Sequence, residues 1–234
     1  MKLYFLTALS AIVFAVFGEA AAGSNENSAF IEQIGEGQRA TVDQQGDAAK
    51  NRAEIDQKGT DDEAEIRQSG SDGSNQASIG QDGANNRATV SQTGAGADNV
   101  AEITQIGSEN GALILQQGFG GANFAILSQH GNANDATISQ NHLGALMQQN
   151  SASIIQDGIG NSAEIDQDGS GNDAAIEQNG AGNSGTIGQS NDNQQADVKV
   201  FGDNNTSNVQ QSGAAGAVQV EQFGSGGGVN IQQF

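Results

Sequence analysis

The side chains that recur at a fixed spacing in this chain are amides, and few others are suited to chemistry. There are two His and no Cys among 234 residues. No Ser–His–acid or Cys–His arrangement is present, so an enzyme is not expected. No partner His or Cys is spaced to join His142 in holding a metal, and His142 reads as a turn residue. Turns such as 71–75 and 169–173 carry suitable oxygens, but they vary too much for the fixed-Asp calcium repeat. No cofactor is expected. Glutamine, by contrast, keeps strict time. Gln33, Gln44, Gln57, Gln68, Gln81, Gln92, Gln105, Gln116, Gln129 and Gln140 stand alternately 11 and 13 residues apart. Gln156, Gln167, Gln178, Gln189, Gln211, Gln222 and Gln233 follow at steps of 11, with Val200 filling the one gap. Amides in such rows do one thing well: stacked on identical residues, they hydrogen-bond into ladders.

The residues around each Gln show what must position it. The unit is Asn-x-Ala-x-Ile/Val-x-Gln-x-Gly, as in 51–59, 75–83 and 161–169. Small, aliphatic and Gln residues at alternate positions share one face of a β-strand, and the positions between them carry Glu, Asp, Arg and Thr. Gly ends the strand, and Gly/Asn/Asp-rich stretches turn the chain. Asn stands two residues before the small one in thirteen of eighteen half-repeats. Asn51, Asn75, Asn99, Asn123, Asn161 and Asn183 are therefore expected to form a second kind of ladder. Two strands and two turns make one coil, of 24 residues up to 140 and 22 after 152. The expected fold is all-β: a parallel β-solenoid of strand-turn-strand coils with two facing sheets and cross-β stacking. Phe30, Glu54, Ser78, Glu102 and Ile126 should then share one outward column.

Segmentation follows. Residues 1–22 read as a secretory signal peptide: Lys2, an apolar run over 3–17, and small residues at 20–22. A short arm occupies 23–28, repeats occupy 29–140 and 152–234, and 141–151 is an irregular coil or loop. No further membrane span is expected. The chain has no Pro and a formal net charge of −20. Proline would delete ladder donors, and the acidity argues against nucleic acid as a partner. One coil buries two aliphatic side chains, worth roughly 3–6 kcal/mol. That is far below the entropy of ordering some twenty residues, roughly 20–40 kcal/mol. A lone coil should not fold, which favours a chain that orders on a template. The terminal strands are natural templates: Phe30 and Ile31 at one end, Val229, Ile231 and Phe234 at the other.

The paired half-repeats behind a signal peptide resemble the curlin repeat, over about 29–234. The resemblance implies a secreted structural subunit, exported across a bacterial outer membrane, that self-assembles into extracellular curli-like amyloid fibres of the biofilm matrix and supports adhesion. It also implies a nucleator subunit, an export channel and periplasmic accessory proteins as partners. Enterobacterial subunits carry a Gly-rich export segment before the repeats, where this chain has 23–28. Two other readings stand beside this one: a minor nucleator of the same fibre, and a monomeric β-solenoid adhesin or binding module.

Overall fold

The computed structural model describes residues 27–46, 50–70, 73–95, 98–119, 121–142 and 148–234, together with two short segments, 2–4 and 12–17. The segments are β1 (Lys2–Tyr4) and β2 (Ile12–Phe17). The repeats give β3 (Ser28–Glu36), β4 (Arg39–Gln45), β5 (Arg52–Thr60), β6 (Glu63–Ser69), β7 (Gln76–Ala84), β8 (Arg87–Ala95), β9 (Val100–Ser108), β10 (Gly111–Phe119) and β11 (Asn123–Asn132). They continue as β12 (Asp135–His142), β13 (Asn150–Ile159), β14 (Ser162–Asp168), β15 (Asp173–Ala181), β16 (Ser184–Ser190), β17 (Gln195–Phe201), β18 (Thr206–Gln211), β19 (Ala217–Phe223) and β20 (Gly228–Gln233).

The odd and even strands separate. One sheet runs β3-β5-β7 and so on to β19, the other β4-β6-β8 to β20, and each strand from β3 onward pairs in parallel with the next of its sheet. The fold is thus the all-β parallel solenoid that the period predicts. Identical repeat positions lie above one another: Ala29 on Ala53, Ile31 on Ile55, Gln33 on Gln57. Alternation then does what a half-buried strand requires, with burial switching residue by residue along β4, β6 and β12. One continuous core runs from Ile31 to Val220, built from the small and aliphatic positions of both sheets. The column Phe30, Glu54, Ser78, Glu102, Ile126 faces outward in register.

The strand-ending glycines hold the coils close. Gly83 has a φ of +149°, and a Cβ there would lie 1.7 Å from the carbonyl oxygen of Gly107 in the next coil. Only hydrogen fits a backbone approach of that kind.

The irregular segment changes the coil length and leaves the register intact. Stacked residues are 24 apart before it, 27 across it and 22 beyond it, as for Gln105 with Gln129, Gln129 with Gln156 and Gln156 with Gln178. Asn141 and His142 end β12, and Asn150 and Ser151 open β13. The three additional residues enter in the connection between those strands, of which 143–147 lie outside the described residues. The expected cleavage site at 20–22 and the arm up to 26 also lie outside them. Within the expected leader, β1 and β2 run antiparallel to β4 and β3, along the first edges of both sheets. No helix among the described residues is long and apolar enough to cross a membrane.

Candidate functional site

A Gln at the fifth position follows a small residue and an aliphatic one on the same inward face, so its stem is buried and its amide must find partners inside the core. It finds two kinds. Along each ladder the Nε2 of one Gln donates to the Oε1 of the Gln one coil further on, except beside Val200. In the odd sheet the chain of bonds runs Gln33 to Gln57 (2.7 Å), Gln57 to Gln81 (2.7 Å), Gln81 to Gln105 (2.8 Å), Gln105 to Gln129 (2.9 Å), Gln129 to Gln156 (2.9 Å) and Gln156 to Gln178 (3.0 Å). In the even sheet it runs from Gln44 through Gln68, Gln92, Gln116, Gln140, Gln167, Gln189 and Gln211 to Gln233 at 2.8–3.0 Å. From Gln44 to Gln189 the amide also donates across the core. Gln68 donates to the carbonyl of Arg52 (3.0 Å) and Gln81 to that of Glu63 (3.2 Å), so each ladder also ties one sheet to the other.

Val200 interrupts the odd-sheet ladder between Gln178 and Gln222. Gln178 keeps its bond across the core, to the carbonyl of Ser162. Gln222 turns aside, accepting from the Ser207 hydroxyl at 2.8 Å and lying 3.5 Å from Asn205 Oδ1. Apolar packing is sufficient at this rung, because the valine is fully buried.

The Asn ladders occupy the two turn edges and run the opposite way, with the later coil donating to the earlier one. Asn75 Nδ2 donates to Asn51 Oδ1 (3.0 Å), Asn99 to Asn75 (3.0 Å), Asn123 to Asn99 (3.1 Å) and Asn150 to Asn123 (3.2 Å). On the other edge, Asn110 donates to Asn86 (3.1 Å), Asn134 to Asn110 (3.2 Å) and Asn161 to Asn134 (3.2 Å). In the 22-residue coils the backbone N–H keeps the link, as from Asn183 to Asn161 Oδ1 and from Asn205 to Asn183 Oδ1, both at 3.0 Å. There the side-chain nitrogen of Asn183 turns to the carbonyl of Gly202 (2.6 Å). The six Asn residues expected to stack therefore divide between two edges: Asn51, Asn75, Asn99 and Asn123 on one, Asn161 and Asn183 on the other. Asn86, Asn110, Asn134, Asn150, Asn172 and Asn205 join these columns beyond the six expected, and all are buried. Their shared place before the small residue was the signal that identifies them. Asp62, Gln38 and Gln194 fill the same place on other rungs and are also buried.

The ends of the stack differ. In the described chain β3 and β4 have β2 and β1 on their outer edges, whereas β19 and β20 are the last strands of their sheets. Of the expected edge residues, Ile31 is buried, Phe30, Val229 and Ile231 are half-buried, and Phe234 is 87% exposed. Phe223, also exposed, stacks on Phe201 at 5.3 Å between ring centroids. The last two coil edges lack the Asn, with Gly216 and Gly227 in its place. Basic residues gather in the first coils and pair with acids there: Glu63 with Arg39 (3.4 Å) and Arg87 (2.7 Å), Arg67 with Glu65 (2.6 Å), Lys58 with Asp82 (3.7 Å). These pairs are largely solvated and contribute little individually.

Among the described residues, no group of three or more His, Cys, Asp or Glu side chains is arranged to hold a metal ion. The feature that the structure repeats throughout is an extended one, made of stacked amides that hydrogen-bond to their own kind. The family model for the curlin associated repeat matches residues 25–59, 59–94 and 149–180. No curated protein matches the chain. Between the matched stretches the same strands, ladders and register continue through β9 to β12. A repeat of small, aliphatic, Gln and Gly positions is thus stacked in register as two parallel sheets, and by the three matches to that model the chain carries curlin associated repeats.

Proposed function

We propose that the chain is a secreted structural subunit that polymerises end to end into an extracellular curli-like fibre, and that this fibre serves the biofilm matrix and cell adhesion. The observation that carries the reading is the open pair β19 and β20, whose register transfers onto β3 and β4 of a second copy. Continuing the offsets of the coils places Val218 on Ala29, Val220 on Ile31 and Gln222 on Gln33. On the other sheet it places Val229 on Ala40, Ile231 on Val42 and Gln233 on Gln44. The even-sheet ladder also has a direction that end-to-end stacking would continue, its amides donating forward from Gln44 to Gln233.

Removal of residues 1–22 as a leader would uncover β3 and β4, so maturation and assembly competence go together in this reading. Export to the surface and contact with a nucleating subunit would supply the place and the first template. The repeat geometry suits a fibre better than a binding module, because an unpaired strand edge is a template for pairing.

The test uses the chain from residue 23 onward, followed by thioflavin fluorescence and fibre diffraction. The expected outcome is fibres with a meridional spacing of about 4.8 Å. Deletion of 229–234 should slow elongation severalfold, because it removes one of the two templating strands. A soluble monomer that persists and melts cooperatively would overturn the proposal.

A further inference from the structure

One ladder rung contains a group that titrates. The turn column that carries Asn86, Asn110 and Asn134 begins with Gln38 and Asp62, and all five side chains are buried. Asp62 behaves as an asparagine toward the coil that follows: its Oδ1 accepts the Asn86 backbone N–H (2.9 Å) and Nδ2–H (3.0 Å). Toward the first coil it does not. At Asn86, Asn110, Asn134 and Asn161 an Nδ2–H points to the oxygen of the coil before, and Asp62 has Oδ2 there instead. No group among the described residues donates to Asp62 Oδ2, nor to the buried Oε1 of Gln38. Two buried acceptors without a hydrogen, at a rung where the column otherwise has one, are what a single proton would satisfy.

We propose that Asp62 is a proton-operated latch on the first coil: its carboxylic acid O–H donates to the Gln38 amide oxygen, completes the ladder and locks β3–β4 onto β5–β6, and loss of that proton loosens the coil. The step is an acid–base equilibrium with solvent, and the proton leaves to water. A carboxylate held at this rung is a buried charge without a cation. Asp61 and Glu63 flank it, Asp82 on β7 adds a negative charge, and Glu36 belongs to the first coil. The nearby bases are engaged elsewhere: Arg39 and Arg87 with Glu63, and Lys58 with Asp82.

Burial raises the Asp62 pKa above its ordinary value of 3.8, with Asp82 adding to the rise. The bonds that Asp62 accepts from Asn86, and the neighbouring Gln38 amide dipole, act the other way without reversing it. A carboxyl whose folded pKa is raised contributes stability that is complete below its unfolded value. That stability is lost as pH rises through the folded value. The first coil is therefore held more firmly in mild acid than at neutrality. It is also the coil whose edge a second copy would meet.

The latch is tested on the full chain in soluble form, by hydrogen exchange read with mass spectrometry and corrected for intrinsic pH dependence. Asp62→Asn supplies the missing N–H permanently. At neutral pH it should slow exchange in β3 and β4 about tenfold, the effect of satisfying one buried acceptor. Acidification should slow exchange there in the wild type and leave Asp62→Asn unchanged. Asp61→Asn, which removes one exposed charge from the same turn, should follow the wild type. An Asp62→Asn variant that exchanges like the wild type at neutrality would overturn the latch, as would equal slowing by Asp61→Asn. Fibre growth plays no part in the readout, so a chain that never polymerises tests the latch equally well.

Discussion

The Gln ladder makes a specific prediction about additivity. Gln105 is fully buried, accepts from Gln81 Nε2, and donates to Gln129 Oε1, the Arg87 carbonyl and the Asn110 carbonyl. Gln105→Val keeps the β-strand preference and copies the residue that the chain itself places at 200. It leaves the Gln81 amide without its forward acceptor and the Gln129 oxygen without its donor. Each buried orphan costs about 1–3 kcal/mol. The single change should therefore cost about 2–6 kcal/mol, less whatever the valine methyls regain. Now replace Gln129 as well. The double variant again has two orphans, Gln81 behind and Gln156 ahead, because the bond between 105 and 129 had both partners removed. Gln129 additionally gives up its bond to the Gly111 carbonyl, worth about 1 kcal/mol. The double change should cost little more than either single change and well below their sum. Urea unfolding of the soluble chain, followed by far-UV circular dichroism and arranged as a double-mutant cycle, measures this. A coupling below about 0.5 kcal/mol would refute the reasoning, since independent sites add to within that margin. The Gln residues would then be packing volume and not a ladder.

Two further changes test the backbone. Gly83→Ala places a methyl 1.7 Å from the Gly107 carbonyl oxygen at a φ of +149°. It should destabilise the solenoid by more than about 3 kcal/mol in the same unfolding assay, as overpacking and backbone strain coincide there. Ala133 sits at a φ of +55°, in a turn column where Gly160 and Gly182 take φ of +65°. Ala133→Gly should raise stability by about 1 kcal/mol and lift the midpoint of thermal unfolding, because only glycine adopts that conformation without cost.

Much of the fold was legible from residue spacing alone. The alternation assigned Ala53, Ile55 and Gln57 to one buried face, and the eleven- and thirteen-residue steps produced strand-turn-strand coils. The break at 141–151 was visible as a defect of spacing. Its accommodation was not: one coil of 27 residues absorbs it with Gln129 still bonded to Gln156 and Gln140 to Gln167. A turn can lengthen without moving the strands it joins, so length alone does not locate a loss of register. The pairing of Arg67 with Glu65 on its own strand was equally unreadable. A flexible guanidinium reaches several acids on one face, and spacing does not choose among them.

By itself the sequence determined the period, the inward face and the type of interaction available at each position. A side chain's parity along a strand fixes which side it takes, and identical residues one coil apart must then meet. Only the tertiary structure decided the direction of those meetings. Gln amides donate forward along the stack while also reaching a carbonyl of the opposite sheet, and the Asn amides donate backward from the turns. That direction makes the two ends of the molecule different. It also marks Asp62 as the rung that lacks a hydrogen, although in the sequence it reads as one more acidic residue in a turn.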